Sequence, residues 1–180
     1  LAYCEKNFGK YPFNVIRFAE ISGYTEGFAA TAYPATIFMN EGVVFHADLR
    51  KDDKRDVINE LAGHELSHAW WGNTQIAPEQ REGAAMLTET LAMYTELMLY
   101  KQTHGAEAMK AVVDIHQSIY DNGQVYSTGE PLYKVQAGNA LIAYNKGVVI
   151  MYQLYELIGE EKINKALKHF LANYAFPHKP

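Results

Sequence analysis

Residues 64–73 read His-Glu-Leu-Ser-His-Ala-Trp-Trp-Gly-Asn, and the fold assignment of the whole chain starts from this stretch. His64 and His68 are four positions apart, so on a helix both imidazoles lie on one face and can reach one metal ion. Zinc binds neutral imidazole nitrogen readily, and two ligands on one rigid helix leave room for a third ligand and a water molecule. Glu65 is offset by one position, where a carboxylate can take a proton from that water. The stretch therefore predicts a zinc-binding helix.

The alternative interpretation of these two histidines is structural, with helical imidazoles that hydrogen-bond the backbone or surface water. With seven histidines in 180 residues, a His-Glu-x-x-His pattern arises by chance about 0.02 times in such a chain. Because a chance match is that rare, the metal interpretation is favoured, and the sequence should supply a third ligand.

Glu89 is the best candidate for the third ligand. It lies on the next predicted helix, after a loop long enough to bring that helix back over the first, so two helices can meet the metal from two directions. Glu79 and Glu82 are the alternatives, but both lie in the loop 74–83, where a rigid geometry is harder to hold. The predicted ligands of one Zn²⁺ per chain are therefore His64, His68 and Glu89.

Glu96 lies about two helical turns after Glu89, near the same face of the helix. It could orient a zinc-binding histidine through the second nitrogen of the ring, as metal sites usually require. It could equally be a solvated glutamate on the outside of the helix. The sequence leaves both interpretations open.

The first third of the chain shows the alternating pattern of strands, and the rest shows the period of helices. After a short N-terminal helix, strands are predicted at 14–22 and 35–39, with a turn at 40–42 and a returning strand at 43–47. The first long helix is capped by Asp52 or Asp53 and ends near 72–73. Further helices are predicted at 84–104, 107–122, 140–158 and after Gly159. Strands first and helices after indicate an α+β fold.

Composition narrows the classes of function. At 180 residues, with 48% hydrophobic and 21% charged residues, the chain suits one folded globular domain. A net charge of −5 and a pI near 5.8 give no reason to expect nucleic acid as a partner. The longest apolar runs, such as 147–151, are far too short to cross a bilayer. Cys4 is the only cysteine, so no internal disulfide can form.

The two ends of the sequence suggest a piece of a longer polypeptide. The chain starts at Leu1 without a methionine, shows no basic and apolar leader, and stops abruptly at Pro180. We therefore expect a single catalytic-domain fragment over 1–180, with a sheet-containing part at 1–50 and a helical part with the zinc site at 51–180. Further domains of the same polypeptide should complete it, and its compartment and oligomeric state are unknown.

Three stretches taken together resemble the gluzincin aminopeptidases, the family of membrane alanyl aminopeptidase and leukotriene-A hydrolase. Residues 64–73 are similar to that family's His-Glu-x-x-His-x-Trp-Phe/Trp-Gly-Asn, and 87–92, Leu-Thr-Glu-Thr-Leu-Ala, to its Leu-Asn-Glu-Gly-Phe-Ala. Residues 144–147, Tyr-Asn-Lys-Gly, resemble its Tyr-Glu-Lys-Gly. The resemblance implies a thermolysin-like zincin domain, with a small, mostly antiparallel sheet followed by a helical lobe, and Glu89 as the third zinc ligand.

The resemblance also implies a role for Tyr144, because the tyrosine of the family motif stabilises the transition state. When water attacks an amide, negative charge builds on the carbonyl oxygen, and a phenol hydroxyl aimed at that position stabilises it. Thirteen tyrosines are present, so composition alone would favour a packing role. The implied catalytic residues are Glu65 and Tyr144. Lys146 in the same motif could be a surface residue or could neutralise a nearby carboxylate.

The sequence departs from the family pattern in two places. Twenty residues separate His68 from Glu89 where the family has eighteen, and two extra loop residues are easily absorbed. Family exopeptidases also carry Gly-x-Met-Glu-Asn, whose Glu binds the free amino terminus of the substrate. The corresponding stretch, 30–34, reads Ala-Thr-Ala-Tyr-Pro and has no carboxylate, although Glu26 or Glu41 could substitute from nearby. Zinc hydrolysis is thus better supported than aminopeptidase specificity.

The favoured function is a zinc-dependent metallopeptidase that hydrolyses N-terminal peptide bonds of peptide or protein substrates, with the strand at 30–34 pairing with the substrate backbone. One alternative is a catalytically altered, peptidase-like domain that serves as a binding or structural module. The second alternative is a zinc hydrolase that acts on a carbonyl substrate other than a peptide. The stretches 28–41 and 83–87 look more like peptidase domains joined to bacterial transporter permeases, which would make the full-length chain membrane-associated.

Overall fold

Five helices and one small sheet appear in a computed structural model that describes residues 1–48, 50, 56–79, 81–126 and 129–176. None of the described helices is long and apolar enough to cross a membrane. The α+β prediction is confirmed, since the strands precede all helices but the first. The elements are α1 (Ala2–Phe8), β1 (Arg17–Ile21), β2 (Ala30–Tyr33), β3 (Thr36–Asn40), α2 (Val57–Ser67), α3 (Leu91–Gly123), α4 (Gly147–Ile158) and α5 (Glu160–Tyr174), with π-helical turns at Glu41–Phe45, Met86–Thr90 and Leu141–Lys146.

The three strands form one mixed sheet in the order β1-β3-β2. β3 pairs in parallel with β1, where Arg17 lies opposite Thr36, and antiparallel with β2, where Ala30 lies opposite Met39. The expectation of a mostly antiparallel sheet is therefore wrong, because one pairing of each kind is present. The cause is that the chain runs from β1 to the far edge, reverses as β2, and then inserts β3 between the two. β2 is left at an edge of the described sheet.

The predicted hairpin of 35–39 with 43–47 is half right. The first strand is present as β3, but Glu41–Phe45 forms a π-helical turn instead of a second strand. Asn40 explains the difference, because its Oδ1 accepts a hydrogen bond of 2.8 Å from a backbone N–H of that turn and caps it. β3 forms its hairpin with β2 instead, through a turn in which Ala35 has φ +59°.

α2, which carries His64, lies between the sheet and α3. Its N-cap is Asp56, whose Oδ1 accepts a hydrogen bond of 3.1 Å from the backbone N–H three residues on. The caps expected at Asp52 or Asp53 fall outside the described residues. The helix ends at Ser67, which is earlier than the predicted end near 72–73.

Two clusters of buried apolar side chains hold α2 in place. Trp70 and Trp71, which follow the helix, are fully buried, and the Phe8 ring of α1 meets Trp71 edge-on with centroids 5.3 Å apart. Such an aromatic pair contributes about 0.5–1.5 kcal/mol beyond the burial of its area. On the other side of the helix, Leu61 and Leu66 pack beneath the sheet. The histidine-bearing helix is thus held on both sides.

Gly63 allows α2 and α3 to approach closely. A Cβ at this position would lie 3.2 Å from Leu99 Cδ1 and 3.8 Å from Glu96 Cα, so a larger side chain would separate the two helices one residue before His64. α3 is itself interrupted at Gly105, where φ is +86° and ψ is 173°. The sequence predicted that one helix ends at this glycine, and the structure confirms a break there, within α3.

Candidate metal centre and active site

Two neighbouring segments bring the predicted metal ligands together. His64 and His68 lie at the end of α2, and Glu89 lies in the π-helical turn just before α3. Glu89 Oε2 is 3.2 Å from His64 Nε2 and 3.7 Å from His68 Nε2. The two imidazole planes are nearly perpendicular, with ring centroids 5.0 Å apart. The three residues therefore present ligand atoms that all lie within 4.8 Å of one another.

The second nitrogen of each histidine ring is held by a hydrogen-bond acceptor. His64 Nδ1 is 3.1 Å from Glu96 Oε2, and His68 Nδ1 is 2.9 Å from the Trp71 carbonyl oxygen. Because both partners accept, each ring donates through Nδ1, so that in the neutral form the Nε2 lone pair is free to bind a metal ion. Glu96 is 7% exposed. It is therefore a buried partner of His64 and not a solvated glutamate.

This set of donor atoms fits zinc. Ligand atoms about 2.0–2.1 Å from Zn²⁺ in a tetrahedron lie about 3.3 Å from one another, close to the 3.2 and 3.7 Å separations seen here. Two imidazole nitrogens and one carboxylate oxygen leave a fourth position open, as in hydrolytic zinc sites. Calcium and magnesium prefer oxygen donors alone, so the imidazoles favour zinc.

The charges within the site are strongly coupled. Burial lowers the pKa of His64, but hydrogen bonds to Glu89 and Glu96 outweigh this effect and raise that pKa to about 10. Burial likewise raises the pKa of Glu89, while its contacts with His64 and His68 bring it below its usual value. Burial and the charge of His64 lower the pKa of His68. The carboxylates of Glu89 and Glu96 thus favour a positive charge at the site, and a bound divalent cation would supply that charge.

Glu65 lies beside the ligand group and not within it. It is 7% exposed and adjoins His64 in α2. Burial raises the pKa of Glu65 to about 7, although the charge of His64 opposes the shift. A carboxyl group with a pKa near neutrality can both take up and return a proton at physiological pH.

Tyr144 reaches the same site from the π-helical turn before α4. Its ring stacks on His64, with centroids 5.7 Å apart and 16° between the planes. Burial and the charge of Glu89 raise the pKa of Tyr144, so its hydroxyl stays protonated and can donate a hydrogen bond. Lys146 of the same motif donates from Nζ to the Glu130 carbonyl oxygen at 3.4 Å.

Two residues that the sequence analysis did not single out hold Tyr144 against the ligands. Thr90, which follows Glu89, donates from Oγ1 to the Ala143 carbonyl oxygen at 2.6 Å. Gly147 packs directly on Thr90, and a Cβ at position 147 would lie only 2.6 Å from that Oγ1. The two π-helical turns touch because position 147 has no side chain.

Asn73, the last residue of the stretch 64–73, connects the loop after α2 to the edge strand β2. Its Nδ2 donates to the Ala32 carbonyl oxygen at 3.1 Å. This contact ties the edge strand β2 to the loop that follows the histidine-bearing helix.

A cavity of about 470 Å³ opens beside these groups. Two of its polar lining residues, Glu60 and His116, were missed by the sequence analysis. Glu60 could have been found, because it lies one helical turn before His64 on the same face. His116 gives no such local signal. The other lining residues are Ala29, Ala30, Val57, Leu61, His64, Glu65, Met93, Glu96 and Tyr144.

The other carboxylates considered from the sequence lie elsewhere. Glu82 pairs with a lysine at 3.4 Å, and Glu79 lines a separate cavity next to Glu89. Glu41 pairs with a histidine at 3.5 Å, and Glu26 is exposed. Neither Glu41 nor Glu26 is among the described residues that line the 470 Å³ cavity.

Known proteins resemble this chain along almost its full length. The peptidase family M1 domain matches residues 1–179. Endoplasmic reticulum aminopeptidase 2 of Homo sapiens is 22% identical over 184 residues, which cover 98% of this chain and 19% of that protein. Leucine aminopeptidase 2-1 of Meyerozyma guilliermondii is 24% identical over 160 residues, which cover 81% of this chain and 25% of that protein. The chain thus spans a fifth to a quarter of the length of these relatives.

Solved structures share the fold. Leukotriene A4 hydrolase of Saccharomyces cerevisiae superimposes with a TM-score of 0.72 at 16% identity, covering 97% of this chain and 28% of that one. The M1 zinc metallopeptidase from Deinococcus radiodurans gives a TM-score of 0.61 at 18% identity, covering 93% and 34%. The expected combination of a small sheet with a helical lobe is confirmed, while the permease-linked subgroup stays a prediction. With a family match that spans residues 1–179, the chain belongs to peptidase family M1.

Proposed function

We propose that this chain is the catalytic core of a zinc aminopeptidase, which hydrolyses the N-terminal peptide bond of peptides or proteins. Membership of a family of zinc peptidases supports the reaction type. The names of the two curated relatives, both aminopeptidases, support action at the amino terminus. The observation that carries the proposal is the convergence of His64 Nε2, His68 Nε2 and Glu89 Oε2 next to Glu65 and Tyr144.

His64, His68 and Glu89 would hold one zinc ion per chain. When bound, the ion polarises the scissile carbonyl group and makes water more acidic. Glu96 and the Trp71 carbonyl fix the orientation of the histidine rings, and such partners strengthen metal binding.

Glu65 is the proposed general base. It accepts a proton from the attacking water and later returns that proton to the nitrogen of the departing amine. Both transfers need a carboxyl group that changes its protonation state readily at neutral pH, and burial of Glu65 provides this.

Tyr144 is the proposed hydrogen-bond donor to the carbonyl oxygen. That oxygen gains negative charge as the carbonyl carbon becomes tetrahedral, and a donor already in place stabilises the charge without reorganisation. The contact between Thr90 and the Ala143 carbonyl keeps the tyrosine in position. The edge strand β2, fixed by Asn73, offers a backbone with which an extended substrate can pair.

Metal content and turnover of the full-length chain test this proposal. We expect about one zinc per chain in the wild type and its loss in His68→Ala, because two ligands hold zinc much more weakly than three. Glu65→Gln should retain zinc but lower kcat by about 10²–10⁴-fold, the usual contribution of general base catalysis. The exposed Glu107→Gln on α3 removes the same charge away from the site and should keep both properties.

Cleavage of unblocked and of amino-acetylated peptides tests whether the enzyme requires a free amino terminus. Cleavage of unblocked peptides alone would establish an aminopeptidase. Turnover that survives in Glu65→Gln would exclude Glu65 as the base. The absence of a carboxylate at 30–34 favours one other function, a peptidase-like binding module. Zinc bound with no cleavage of either peptide by the full-length chain would support that function.

A further inference from the structure

We propose that His116 is a positioning residue for Tyr144, and that it fixes the direction of the tyrosine hydroxyl by holding the neighbouring Asn145. This role rests on the proposed peptidase function, in which Tyr144 donates a hydrogen bond to the carbonyl oxygen of the cleaved bond. His116 lies in α3 after the break at Gly105. It acts on the turn that carries the tyrosine, and not on the reacting atoms.

Tyr144 lies on a stretch of backbone that needs support from outside. Leu141–Lys146 is a π-helical turn, and Ala140 before it makes no side-chain hydrogen bond that would cap the turn. Such turns are rare as isolated elements and occur mostly as single widened turns, often at functional sites. The direction of the Tyr144 side chain therefore depends on contacts that other elements make with this turn.

Hydrogen bonds hold the residues on both sides of Tyr144. On one side, Thr90 Oγ1 donates to the Ala143 carbonyl oxygen at 2.6 Å. On the other side, His116 Nδ1 is 2.8 Å from Asn145 Oδ1, and because an amide oxygen only accepts, Nδ1 is the donor. The tyrosine is thus placed between two fixed neighbours, one tied to the turn before α3 and one tied to α3 itself.

The same face of α3 follows the turn further. Tyr120 and Gly123 are four and seven positions after His116, so the three residues share one face of the helix. Lys146 Nζ lies 5.8 Å from the Tyr120 ring centroid. A Cβ at position 123 would lie 2.7 Å from Leu141 Cδ1. Both ends of the π-helical turn therefore pack on this face, and His116 provides its hydrogen bond beside Tyr144.

The second nitrogen of His116 argues against a role in packing alone. Nε2 is buried and has no hydrogen-bond partner within the described parts of the chain, although buried polar atoms are nearly always paired. A phenylalanine would fill the same space without leaving a buried nitrogen unpaired, which costs free energy. What a histidine adds here is the Nδ1 donor, and that donor is bound to the residue next to Tyr144.

Two substitutions remove this hydrogen bond from opposite sides. His116→Phe keeps a ring but removes the donor, and Asn145→Leu removes the acceptor, so a folding defect in one variant leaves the other as a test. Each should lower kcat by about tenfold with little change in KM or zinc content, because a small misplacement of a catalytic group costs rate and not ground-state binding. The measurement is steady-state kinetics with metal analysis on the zinc-loaded, full-length chain.

A conservative variant and a matched control make this test specific. His116→Asn keeps an N–H donor near the position of Nδ1 and should restore most of the lost kcat. His169 on α5 also contacts an asparagine, at 3.3 Å and in an exposed position, so His169→Phe should leave kcat unchanged. An equal loss in His169→Phe, or a His116→Asn variant as slow as His116→Phe, would overturn the proposal.

A double-mutant cycle with Tyr144→Phe shows whether His116 acts through the tyrosine. Once the hydroxyl is removed there is nothing left to position, so adding His116→Phe should lower kcat no further. Residues that act as a unit give such non-additive effects, whereas independent residues give effects that add. Fully additive losses would therefore show that His116 does not act through Tyr144.

A readout that needs no turnover separates this inference from the proposed function. With 3-fluorotyrosine at position 144, the ¹⁹F resonance of the zinc-loaded, full-length chain reports the surroundings of that ring. We expect His116→Phe to shift or broaden the resonance, and His116→Asn and His169→Phe to leave it in place. That pattern supports the positioning role even if the wild type cleaves no peptide. A resonance unchanged by His116→Phe would overturn it even if the peptidase activity is established.

Discussion

Three glutamates of the candidate site differ in what each contacts. Glu89 Oε2 faces the Nε2 atoms of both histidines, Glu96 Oε2 contacts Nδ1 of His64, and Glu65 lines the cavity beside them. One functional group is thus suited to serve as a ligand, an orienting acceptor or a base. Its place relative to the imidazole nitrogens, and not the residue type, separates these roles.

Removal of the Tyr144 hydroxyl should affect turnover and not metal binding. In Tyr144→Phe the ring can still stack on His64, so zinc content and KM should change little. The developing charge on the carbonyl oxygen loses a donor, and kcat should fall by about 10²–10³-fold. Steady-state kinetics with metal analysis measure both. Tyr126, which is 92% exposed, is the control, and an equal loss in Tyr126→Phe would contradict a specific role for Tyr144.

At the scale of elements, the start of α2 makes stability depend on pH. Burial raises the pKa of Asp56, but hydrogen bonds from Asn59 and the contact with His104 outweigh it and bring the pKa below its usual value. The stabilisation is therefore present above the unfolded pKa of about 3.9 and is lost as the pH falls through the folded pKa. Asp56→Ala should cost about 1 kcal/mol at pH 7, and this difference from wild type should become smaller in acid.

Asp56→Asn separates the cap from its charge. Asparagine is an equally good N-cap, so this variant should keep most of the stability at pH 7 but lose the acid-dependent part. Urea unfolding at several pH values measures both variants. If Asp56→Ala and wild type differ equally at pH 7 and at low pH, the carboxylate is not the source of the effect.

The loop after α2 depends on Gly72, which has φ +97°. A Cβ at this position would overlap Thr88 Cγ2, and Thr88 adjoins the ligand Glu89. Gly72→Ala should therefore lower the free energy of unfolding by about 2 kcal/mol and also weaken zinc binding. Gly138 has φ +93° with nothing within 4 Å of an added Cβ. Gly138→Ala should show only the cost of placing alanine at a positive φ. Equal losses of zinc affinity in Gly72→Ala and Gly138→Ala would contradict the explanation through Thr88.

At the scale of the whole molecule, local patterns predicted the helices much better than the sheet. The strand at 35–39 matches β3 within one residue, because its alternation is local. Its parallel partner β1 is separated from it in the sequence by β2, and no local pattern reveals a pairing between strands that are not consecutive. The segment 43–47 was predicted as a strand because it is rich in apolar residues. The side chain of Asn40 instead caps a π-helical turn at Glu41–Phe45.

The convergence of His64, His68 and Glu89 was predictable because a helix repeats every 3.6 residues and the third residue lies at the start of the next helical segment. The cavity lining was not, since Glu60 and His116 come together only when α2 packs on α3. Gly63 makes that close packing possible, and its importance is invisible before the second helix is placed. The contact of Thr90 with the Ala143 carbonyl likewise joins segments that no spacing rule connects.

Because the proposed ligands come from two separate segments, α2 and the turn before α3, a bound ion would act as a reversible cross-link between them. An ion that binds only the folded chain shifts the unfolding equilibrium by mass action, by about 2.7 kcal/mol when free zinc is 100 times its Kd. The melting temperature of the full-length chain should therefore climb with the logarithm of zinc concentration, and it should stay flat in His68→Ala. A melting curve would then report metal affinity without any substrate, and a wild-type curve indifferent to zinc would count against the cross-link.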